Sequence, residues 1–293
     1  MTRIAVLGTQ GQLGSDLVQR LAETGRYEIF AFGHKDLDCV DQRSVEDALT
    51  AAHPECVVNC AAFVRVDDCE DRPLTAFSVN GVGAWNVARA AARLGAVCAY
   101  VSTDYVFDGG KGAAYTEEDL PSPVNVYGAS KLVGEYLVRS ICPRHFILRS
   151  SGLYGVAGSS GKGGNFVETM IRMAQEGRPI SVVCDQILTP TYTKDLSEQI
   201  VKLLRHDRYG LYHMTNSGQC SWYQFAATVF ELAGLKAELR PVTTEAFGAK
   251  ARRPSHSVLA SEKLTRLTSD RMRSWRRALE AYLQERGSLA AHA

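Results

Sequence analysis

The chain has 293 residues, of which 45% are hydrophobic and 22% are charged, and its formal net charge is +1. This is the composition of a globular protein with one large domain or two unequal ones, without the basic excess of a protein that binds nucleic acid or an anionic membrane. No apolar run approaches the roughly 20 residues of a membrane-spanning helix, and the first residues lack the long apolar core of a secretory signal.

The first half of the chain alternates short apolar runs with longer amphipathic stretches, which is typical of a parallel sheet wrapped by helices. Strands are predicted at residues 3–7, 28–32, 56–59, 97–102 and 145–148. Helices are predicted near residues 13–24, 43–52, 76–94 and 126–140. We therefore predict an α/β fold, with a doubly wound parallel sheet of the Rossmann type over residues 1–150.

The alternation breaks down beyond about residue 150. Residues 155–164 are rich in glycine and serine and predict a flexible lid. Residues 236–259 contain Pro241 and Pro254 and continue the irregular pattern. We predict a smaller C-terminal domain, mainly substrate-binding, over residues 151–293, and segments near 180–215 are candidates for a return to the first domain.

Three glycines, Gly8, Gly11 and Gly14, follow the first predicted strand at intervals of three residues. Glycine lets a backbone turn sharply and approach a pyrophosphate without a Cβ atom in the way, and the helix that follows offers unpaired amides to the anion. The alternative is a tight strand-to-helix turn that binds nothing. Because the glycines end the first strand of an alternating α/β chain, we predict a dinucleotide-binding turn.

The end of the second predicted strand indicates which dinucleotide is bound. An acidic residue here would accept hydrogen bonds from the adenosine ribose and favour NAD, but this chain has Gly33. His34 and Lys35 follow, and they supply donors and positive charge for the additional phosphate of NADP. We predict NADP(H) as the preferred cofactor, with NAD(H) as the alternative, and Asp38 as a partner of the adenine amino group.

Tyr127 and Lys131 open the last helix predicted in the first half and lie one turn apart on the same face. A phenol has a pKa of about 10, and a nearby ammonium lowers that pKa and makes tyrosine a usable general acid. Thr103 leaves the fourth predicted strand at its carboxyl end, where open α/β sheets place their ligands. We predict that Thr103 and Tyr127 meet over the nicotinamide and that Thr103 hydrogen-bonds the substrate carbonyl.

These residues together carry a family resemblance. Residues 8–14 with Thr103, Tyr127 and Lys131 resemble the extended short-chain dehydrogenase/reductase family. The run Ser102-Thr103-Asp104-Tyr105-Val106-Phe107-Asp108-Gly109 is similar, more narrowly, to the dTDP-4-dehydrorhamnose reductase subfamily. Further matching segments are Asn125-Val126-Tyr127-Gly128, Gly134-Glu135, Asn165-Phe166, Asp185-Gln186, Pro190-Thr191, Ser221-Trp222 and Arg253-Pro254 with Ser257 and Leu259. The resemblance spans nearly the whole chain.

The resemblance implies an NAD(P)H-dependent reductase that acts on the 4-keto group of a nucleotide-linked 4-keto-6-deoxy sugar. Tyr127 would donate the proton, Lys131 would tune it and hold the nicotinamide ribose, and Thr103 would orient the carbonyl. The residues implied to line the cofactor are Gly11, Gln12, Leu13, Asp38, Cys39, Ala62, Phe63 and Val64. The residues implied on the substrate side are Asp104 beside the sugar and, near its nucleotide-diphosphate end, Asn165 and Arg253. The resemblance further implies a homodimer packed through the helices near residues 76–94 and 126–140.

Two positions depart from the family. It usually has a tryptophan packed against the sugar where this chain has Gly152, and it tends to have a threonine facing the substrate where this chain has Val64. Losing an indole removes a large apolar wall, so we expect Gly152 to leave room for a bulkier or differently oriented group. Arg65 either meets an additional anionic or hydroxyl group of the substrate or pairs with the acidic residues Asp67, Asp68, Glu70 and Asp71.

Two other functions are compatible with these residues. The regulatory subunit of methionine adenosyltransferase resembles the same subfamily, keeps such catalytic residues and binds a partner enzyme. A sugar-nucleotide epimerase or dehydratase would keep the cofactor and change the reaction. Asp104 partly imitates the acidic residues of the dehydratases, but no glutamate follows it. The complete set of Thr103, Tyr127 and Lys131 favours the reductase.

The eight cysteines are scattered, and the seven histidines are isolated from one another and from the cysteines. This spacing is typical of buried free thiols in a reducing compartment and indicates no metal site. We predict a cytoplasmic enzyme whose partner is a nucleotide sugar, with no nucleic-acid or membrane partner.

Overall fold

The computed structural model describes residues 1–157 and 164–290. Residues 158–163, the centre of the predicted lid, lie outside the described residues. The strands are β1 (Thr2–Leu7), β2 (Tyr27–Phe32), β3 (Cys56–Asn59), β4 (Val97–Thr103), β5 (His145–Ser150), β6 (Leu153–Tyr154), β7 (Ile180–Val183), β8 (Ile187–Leu188), β9 (Thr191–Tyr192), β10 (Gly210–His213), β11 (Cys220–Ser221) and β12 (Leu239–Val242).

The helices are α1 (Gln12–Glu23), α2 (Gln42–Ala52), α3 (Val66–Asp71), α4 (Pro73–Phe77), α5 (Gly83–Arg93), α6 (Val126–Ile141), α7 (Phe166–Gln175), α8 (Thr193–Leu203), α9 (Trp222–Ala233), α10 (Thr244–Phe247), α11 (Glu262–Thr268) and α12 (Trp275–Glu285). The five strands predicted in the first half are confirmed, each to within two residues at either end. Among the described residues, no helix combines the length and the apolar character needed to cross a bilayer.

Six parallel strands form the central sheet, in the order β10-β5-β4-β3-β1-β2. The register places Val6 of β1 opposite Ala31 of β2 and Val58 of β3. The predicted doubly wound α/β fold is confirmed. The sixth strand, β10, was not predicted, because its four residues lie in the part of the chain where the alternation of strands and helices is lost.

Side chains that alternate along β1 divide the core into two layers. Ile4 and Val6 pack with α1 and α8 on one side of the sheet, whereas Ala5 and Leu7 pack with α2 and α5 on the other. All four are buried, as expected for a parallel strand that is covered on both faces. The helices of both layers therefore bring the chain back to the same edge of the sheet before each new strand.

The helix predicted over residues 76–94 is not continuous. A π-helical turn, Ser78–Val82, separates α4 from α5. Buried Asn80 lies in this turn, and its backbone oxygen accepts a hydrogen bond from the Tyr100 hydroxyl at 2.9 Å. A π-helical turn inserts one residue into the helix and is frequent at functional sites, and here it directs an amide side chain towards the end of β3.

Residues 151–290 build a second core outside the central sheet. Three two-stranded sheets, β6–β9, β7–β12 and β8–β11, lie beside α7, α9 and α12. Their core is aromatic: Tyr154 stacks on Tyr192 and meets Tyr282 edge-on, with ring centroids 5.7 and 5.2 Å apart. β10 and α8 from this part belong to the central sheet and to one of its covering layers, and the predicted division at residue 150 stays a prediction.

Polar caps determine where several helices begin. Asp41 accepts hydrogen bonds from two amides in the first turn of α2. Ser221 and Gln224 form a reciprocal capping box at the start of α9, and Gly234 ends that helix in the left-handed conformation. Asn125 caps α6 through the amide of Gly128 at 2.8 Å. This last cap fixes the helix that carries Tyr127 and Lys131.

Candidate active site

Four strands of the central sheet end at one edge, and most of the predicted site residues follow these ends. Gly8 follows β1, residues 60–64 follow β3, Thr103 and Asp104 lie at the end of β4, and Gly152 follows β5. Open α/β sheets bind ligands in the crevice outside the carboxyl ends of their strands. The fold therefore brings residues that are far apart in the chain to one crevice.

The glycine turn between β1 and α1 is tight. Gly8 has φ +79°, and a Cβ atom there would lie 2.8 Å from the backbone nitrogen of Ala61. A Cβ atom on Gly14 would overlap the carbonyl oxygen of Gly8, and the Gly11 amide donates to that same oxygen at 3.0 Å. No side chain caps the start of α1, so the amides of its first turn face the crevice without a side-chain acceptor.

Gln12 opens α1 and links the turn to the second half of the chain. Its amide nitrogen donates to the carbonyl oxygen of Leu153 at 3.0 Å. Its amide oxygen is buried and has no hydrogen-bond partner within the described residues. A buried acceptor of this kind requires a donor from water or a ligand. Leu13, the next residue and a predicted cofactor-lining residue, is buried in the core.

The loop after β2 carries both charge signs. His34 and Lys35 are exposed, as a role in binding an additional phosphate requires. This strand end was expected to lack a carboxylate, but the Asp36 carboxylate lies there and accepts a hydrogen bond from the Gly33 amide at 2.8 Å. Asp38 accepts from the amide of Val40 at 3.0 Å and stays exposed.

The loop after β3 is held by Asn80 of the π-helical turn. The Asn80 amide oxygen accepts from the amide of Phe63 at 2.8 Å, and its nitrogen donates to the Phe63 carbonyl at 3.1 Å. The same nitrogen donates to the Ser130 hydroxyl of α6 at 2.9 Å. Asn80 therefore fixes the predicted cofactor-lining residues Ala62, Phe63 and Val64 relative to the catalytic helix. Sequence reasoning missed Asn80, and the only signal was one amide between apolar residues of a predicted helix.

Cys39, another predicted cofactor-lining residue, lies in the loop after β2, and its side chain is buried. A Cβ atom on Gly83 would lie 2.7 Å from the Cys39 sulfur, so the first turn of α5 packs directly on this thiol. Burial raises the pKa of Cys39 to about 11. The thiol is therefore protonated at neutral pH and packs as an apolar group.

Lys131 is buried against the face of an aromatic ring. Its Nζ lies 4.0 Å from the ring centre of Tyr100, within the range of a cation–π contact. Burial lowers the pKa of Lys131 to about 7, and Glu135, one turn further along α6, opposes this shift. Burial therefore weakens the preference of Lys131 for the charged form, which an exposed lysine keeps throughout the neutral range.

Tyr127 is partly exposed, and the edge of its ring meets Tyr105 with centroids 5.9 Å apart. Burial raises the pKa of Tyr127 above its ordinary value, and hydrogen bonding with Thr103 opposes the rise. The raised pKa does not show the lowering expected from Lys131, and the effect of Lys131 on Tyr127 stays a prediction. Desolvation of the phenol outweighs other effects, and burial has weakened the charge of Lys131 itself.

A buried ion pair supports the catalytic helix from below. Arg149 of β5 donates to both carboxylate oxygens of Glu135 on α6, at 2.8 and 2.7 Å. The Ser102 hydroxyl of β4 donates to the same carboxylate. Together with Ser102, the ion pair links β4 and β5 to α6 one helical turn after Lys131, and it fixes the position of that helix relative to the sheet.

Asp104 lies next to Thr103 and is almost fully buried, with 2% of its surface exposed. Hydroxyl groups of Thr103, Ser151 and Ser257 donate to its carboxylate. Burial raises the pKa of Asp104 to about 6, and the three hydroxyls oppose the shift. Both carboxylate oxygens are thus already engaged, which the predicted contact with the sugar did not anticipate.

Gly152 does not leave an open space. Its φ is +53°, and a Cβ atom there would lie 2.8 Å from Cδ1 of Leu188 and 3.2 Å from Cα of Pro190. Leu188 and Pro190 therefore fill the space where a side chain of residue 152 would begin, and a larger sugar pocket beyond them stays a prediction. An aliphatic side chain of Leu188 borders the position instead.

Two predicted substrate residues make protein contacts. Asn165 caps α7, and its amide nitrogen donates to the Gly155 carbonyl at 2.9 Å and to the Tyr282 hydroxyl at 3.1 Å. Arg253 forms an ion pair with Asp67 of α3 at 2.9 Å, and its guanidinium lies near the Tyr105 side chain. The amide protons of Asn165 are thus committed to the protein, whereas Arg253 lies against a neighbour of Tyr127.

Arg65 lies at the start of α3 and pairs with the acidic residues that follow it. Its guanidinium is 3.6 Å from the carboxylate of Asp68, and about half of its side chain is exposed, at 51%. The pairing considered in the sequence analysis is therefore present. It is a surface contact of small energetic value.

Comparison with known proteins identifies the family. The chain matches the RmlD substrate binding domain over residues 1–287. It is 44% identical over 288 residues to the spore coat polysaccharide biosynthesis protein SpsK of Bacillus subtilis, covering 98% of this chain and 99% of that protein. It is 36% identical over 292 residues to the dTDP-4-dehydrorhamnose reductase of Aggregatibacter actinomycetemcomitans, covering 96% and 98%.

A solved structure agrees with these relatives. The dTDP-4-dehydrorhamnose reductase of Bacillus anthracis, in complex with NADP, superposes with a TM-score of 0.92 at 41% identity and covers 97% of this chain and 100% of that chain. The predicted membership of the dTDP-4-dehydrorhamnose reductase subfamily of extended short-chain dehydrogenases/reductases is confirmed. The chain belongs to the RmlD substrate binding domain family.

Proposed function

We propose that this chain uses NADPH to reduce the 4-keto group of a dTDP-linked 4-keto-6-deoxy sugar. The observation that carries the proposal is that Thr103, at the end of β4, lies beside Tyr127 of α6, with Lys131 one turn further along that helix and the glycine turn at the same edge of the sheet. Relatives of nearly equal length are named as reductases of such sugars, which supports an oxidoreductase. NADP in the Bacillus anthracis relative supports the same cofactor here.

Three features of the structure fit a dinucleotide. The turn at Gly8 and Gly14 has no room for a Cβ atom, the first amides of α1 have no side-chain acceptor, and the buried oxygen of Gln12 has no partner among the described residues. The turn would hold the pyrophosphate, and His34 with Lys35 would hold the additional phosphate. When bound, the cofactor supplies the hydride that adds to the carbonyl carbon.

The chain itself supplies and directs the proton. As the carbonyl carbon takes up hydride, Tyr127 donates its phenolic proton to the carbonyl oxygen, and the product is a hydroxyl group. The phenolate left on Tyr127 is stabilised by a hydrogen bond from Thr103, and Lys131, one turn further along α6, contributes positive charge. Burial lowers the pKa of Lys131, so its ammonium is a candidate source of the proton that Tyr127 must regain after each turnover.

The test is NADPH oxidation, followed by absorbance, with dTDP-4-dehydrorhamnose and dTDP-4-keto-6-deoxy-D-glucose as substrates. We expect turnover of at least one sugar, and loss of turnover with retained NADPH binding in Tyr127→Phe. Full activity of Tyr127→Phe would show that another group donates the proton. No turnover of either sugar, together with tight binding of a protein partner, would instead support the regulatory-subunit alternative.

The two alternative functions have less support. The relatives described above are named for biosynthesis and reduction, and Tyr127, Thr103 and Lys131 are all in place. An epimerase or dehydratase would release its product without net consumption of NADPH. Stoichiometric NADPH consumption therefore separates the reductase from both.

The proposal includes a homodimer. The surface of α4, the π-helical turn and α6 carries four exposed apolar side chains: Leu74, Val82, Val133 and Tyr136, with exposed fractions of 82%, 42%, 38% and 57%. Exposed apolar side chains on neighbouring helices are typical of an interface between subunits. Light scattering after size exclusion is expected to give twice the monomer mass, and a charge at Val133 is expected to reduce it to the monomer mass.

The proposal also includes a cytoplasmic location. All eight cysteines are free thiols, and six of them are buried. Free thiols persist in the reducing cytoplasm, where nucleotide sugars are also made and used. Cell fractionation with detection of the chain in the cytoplasmic fraction is the corresponding test.

A further inference from the structure

The end of β2 adjoins the glycine turn. The carbonyl oxygen of Phe32, the last residue of β2, accepts hydrogen bonds from the amides of Gly8 at 2.9 Å and Thr9 at 3.3 Å. Leu7 and Phe32 are register partners, so β1 and β2 end at the same level. In a Rossmann domain, groups at this strand end recognise the adenosine ribose of a dinucleotide whose pyrophosphate lies at such a turn. The residues that follow Phe32 are therefore placed to distinguish NADPH from NADH.

A carboxylate from further along the chain occupies this strand end. The amides of Asp36 and Leu37 both donate to the carbonyl oxygen of Gly33 at 3.1 Å, which closes a tight turn. Within this turn, Oδ2 of Asp36 accepts from the Gly33 amide at 2.8 Å. A Cβ atom on Gly33 would lie 3.2 Å from that oxygen and 3.0 Å from Cδ of Gln10. The Asp36 carboxylate and the Gln10 amide thus border the space that a side chain of residue 33 would enter.

The turn presents opposite charges to solvent. His34, Lys35 and Asp36 are consecutive, and all three are exposed. The Gly33 amide, a potential donor to a phosphate, already donates to the Asp36 carboxylate. Oδ1 of Asp36 accepts no hydrogen bond from the described residues, so it is available to a hydroxyl donor.

We propose that Asp36 sets the choice between the two dinucleotides by opposing the additional phosphate of NADPH. A carboxylate accepts hydrogen bonds from the ribose hydroxyls of NADH, whereas it repels the phosphate that is attached at one of these positions in NADPH. His34 and Lys35 attract that phosphate, so one repulsive group among attractive ones narrows the preference and keeps NADH a usable cofactor. The inference rests on the proposed function, because it concerns the cofactor choice of the same site.

The electrostatic origin of this role fixes its expected size and its dependence on salt. A phosphate monoester carries between one and two negative charges at neutral pH. Removing a carboxylate charge a few ångströms from it in water corresponds to a gain of about fivefold in affinity, and screening reduces that gain as the ionic strength rises. If Asp36 served only to shape the turn, its replacement would change the binding of both dinucleotides alike.

The experiment measures the Kd for NADPH and for NADH by calorimetry at about 20 mM and about 500 mM salt, and kcat/KM for each cofactor with the accepted dTDP-sugar. Asp36→Asn keeps an oxygen acceptor for the Gly33 amide and removes the charge. It is expected to raise the affinity for NADPH relative to NADH by at least about fivefold at low salt, and by less at high salt. Lys35→Gln is expected to move the ratio in the opposite direction. Asp47→Asn removes an exposed carboxylate of α2 and is expected to match the wild type.

The outcomes separate this role from the proposed function. Binding of both dinucleotides with a Kd ratio that Asp36→Asn leaves unchanged, or changes equally at both salt concentrations, overturns the role of Asp36 alone. A ratio that shifts as expected supports the role even if no dTDP-sugar is turned over, and the proposed reduction then fails by itself. No binding of either dinucleotide overturns both. If Asp36→Asn does not fold, Asp36→Ala, which also removes the charge, decides the question.

Discussion

Replacing Asn80 is expected to destabilise the loop after β3, which carries predicted cofactor-lining residues. Asn80 is fully buried in the π-helical turn and makes three side-chain hydrogen bonds, to the amide and carbonyl of Phe63 and to the Ser130 hydroxyl. Asn80→Ala removes all three and leaves the two backbone groups of Phe63 without these partners. The loop after β3 then loses its connection to α6.

The size of the effect follows from these bonds. A neutral hydrogen bond contributes about 1 kcal/mol net to stability, and a buried polar group left without a partner costs about 1 to 3 kcal/mol. Three bonds therefore give a loss of about 3 kcal/mol in the free energy of unfolding, with water at the half-buried loop limiting any further loss. Because the loop carries predicted cofactor-lining residues, the Kd for NADPH is expected to rise as well.

The assay combines urea unfolding with NADPH titration by calorimetry. Asn216→Ala is a matched control, because Asn216 is equally buried and makes three side-chain hydrogen bonds, to Tyr192, Asp195 and Arg273. Both variants are expected to lose similar stability, but only Asn80→Ala is expected to weaken NADPH binding. A loss below about 1 kcal/mol, or an equal change in Kd for both variants, would refute the reasoning.

Three further predictions concern stability. Burial lowers the pKa of Lys131 to about 7 in the folded chain. Between pH 7 and the higher pKa that Lys131 has in the unfolded chain, the unfolded chain binds more protons, so the free energy of unfolding is expected to rise with pH. Urea unfolding at increasing pH should show a smaller rise in Lys131→Met than in the wild type. Gly152→Ala is expected to lower the free energy of unfolding by about 1 to 2 kcal/mol because of the left-handed backbone at this residue, and the close contact with Leu188 should add to that loss. In the same assay, the double variant with Leu188→Ala should lose less stability than the sum of the two single variants. Arg149→Met leaves the buried Glu135 without its ion-pair partner and is expected to lower the free energy of unfolding by about 3 to 5 kcal/mol in thermal or urea unfolding. Adding Glu135→Leu should restore part of that loss. No recovery in the double variant would contradict a cost that arises from the unpaired charge.

The predicted strands and the positions of the glycine turn and α6 were correct because each depends on local sequence. The apolar runs of β1, β3 and β4 are too short for a typical helix, and the glycines follow the first of them directly. The predicted helix over residues 76–94 was wrong in one respect, because the π-helical turn depends on contacts of Asn80 with Tyr100 and Phe63. A helical pattern does not contain those partners.

In the candidate site too, some features depend on local sequence and others on contacts with distant residues. Tyr127 and Lys131 were recognised from a spacing of four residues on one helix, whereas the pKa values of both depend on burial that the spacing does not describe. Gly152 was recognised as a departure, but whether it opens a space was decided by Leu188 of β8. The sequence therefore identified positions more reliably than it identified their surroundings.

By itself, the amino-acid sequence determined the order of strands and helices in the first half of the chain, the turn between β1 and α1, and the one-turn separation of the phenol from the ammonium. Each of these is a property of a few consecutive residues, through side-chain size, periodicity and backbone freedom. Only the tertiary structure decided the surroundings of Asp104, whose donors Ser151 and Ser257 are 47 and 153 positions away in the chain. Desolvation and hydrogen-bond direction depend on such distant partners, because they are set by whatever the completed fold packs around a group.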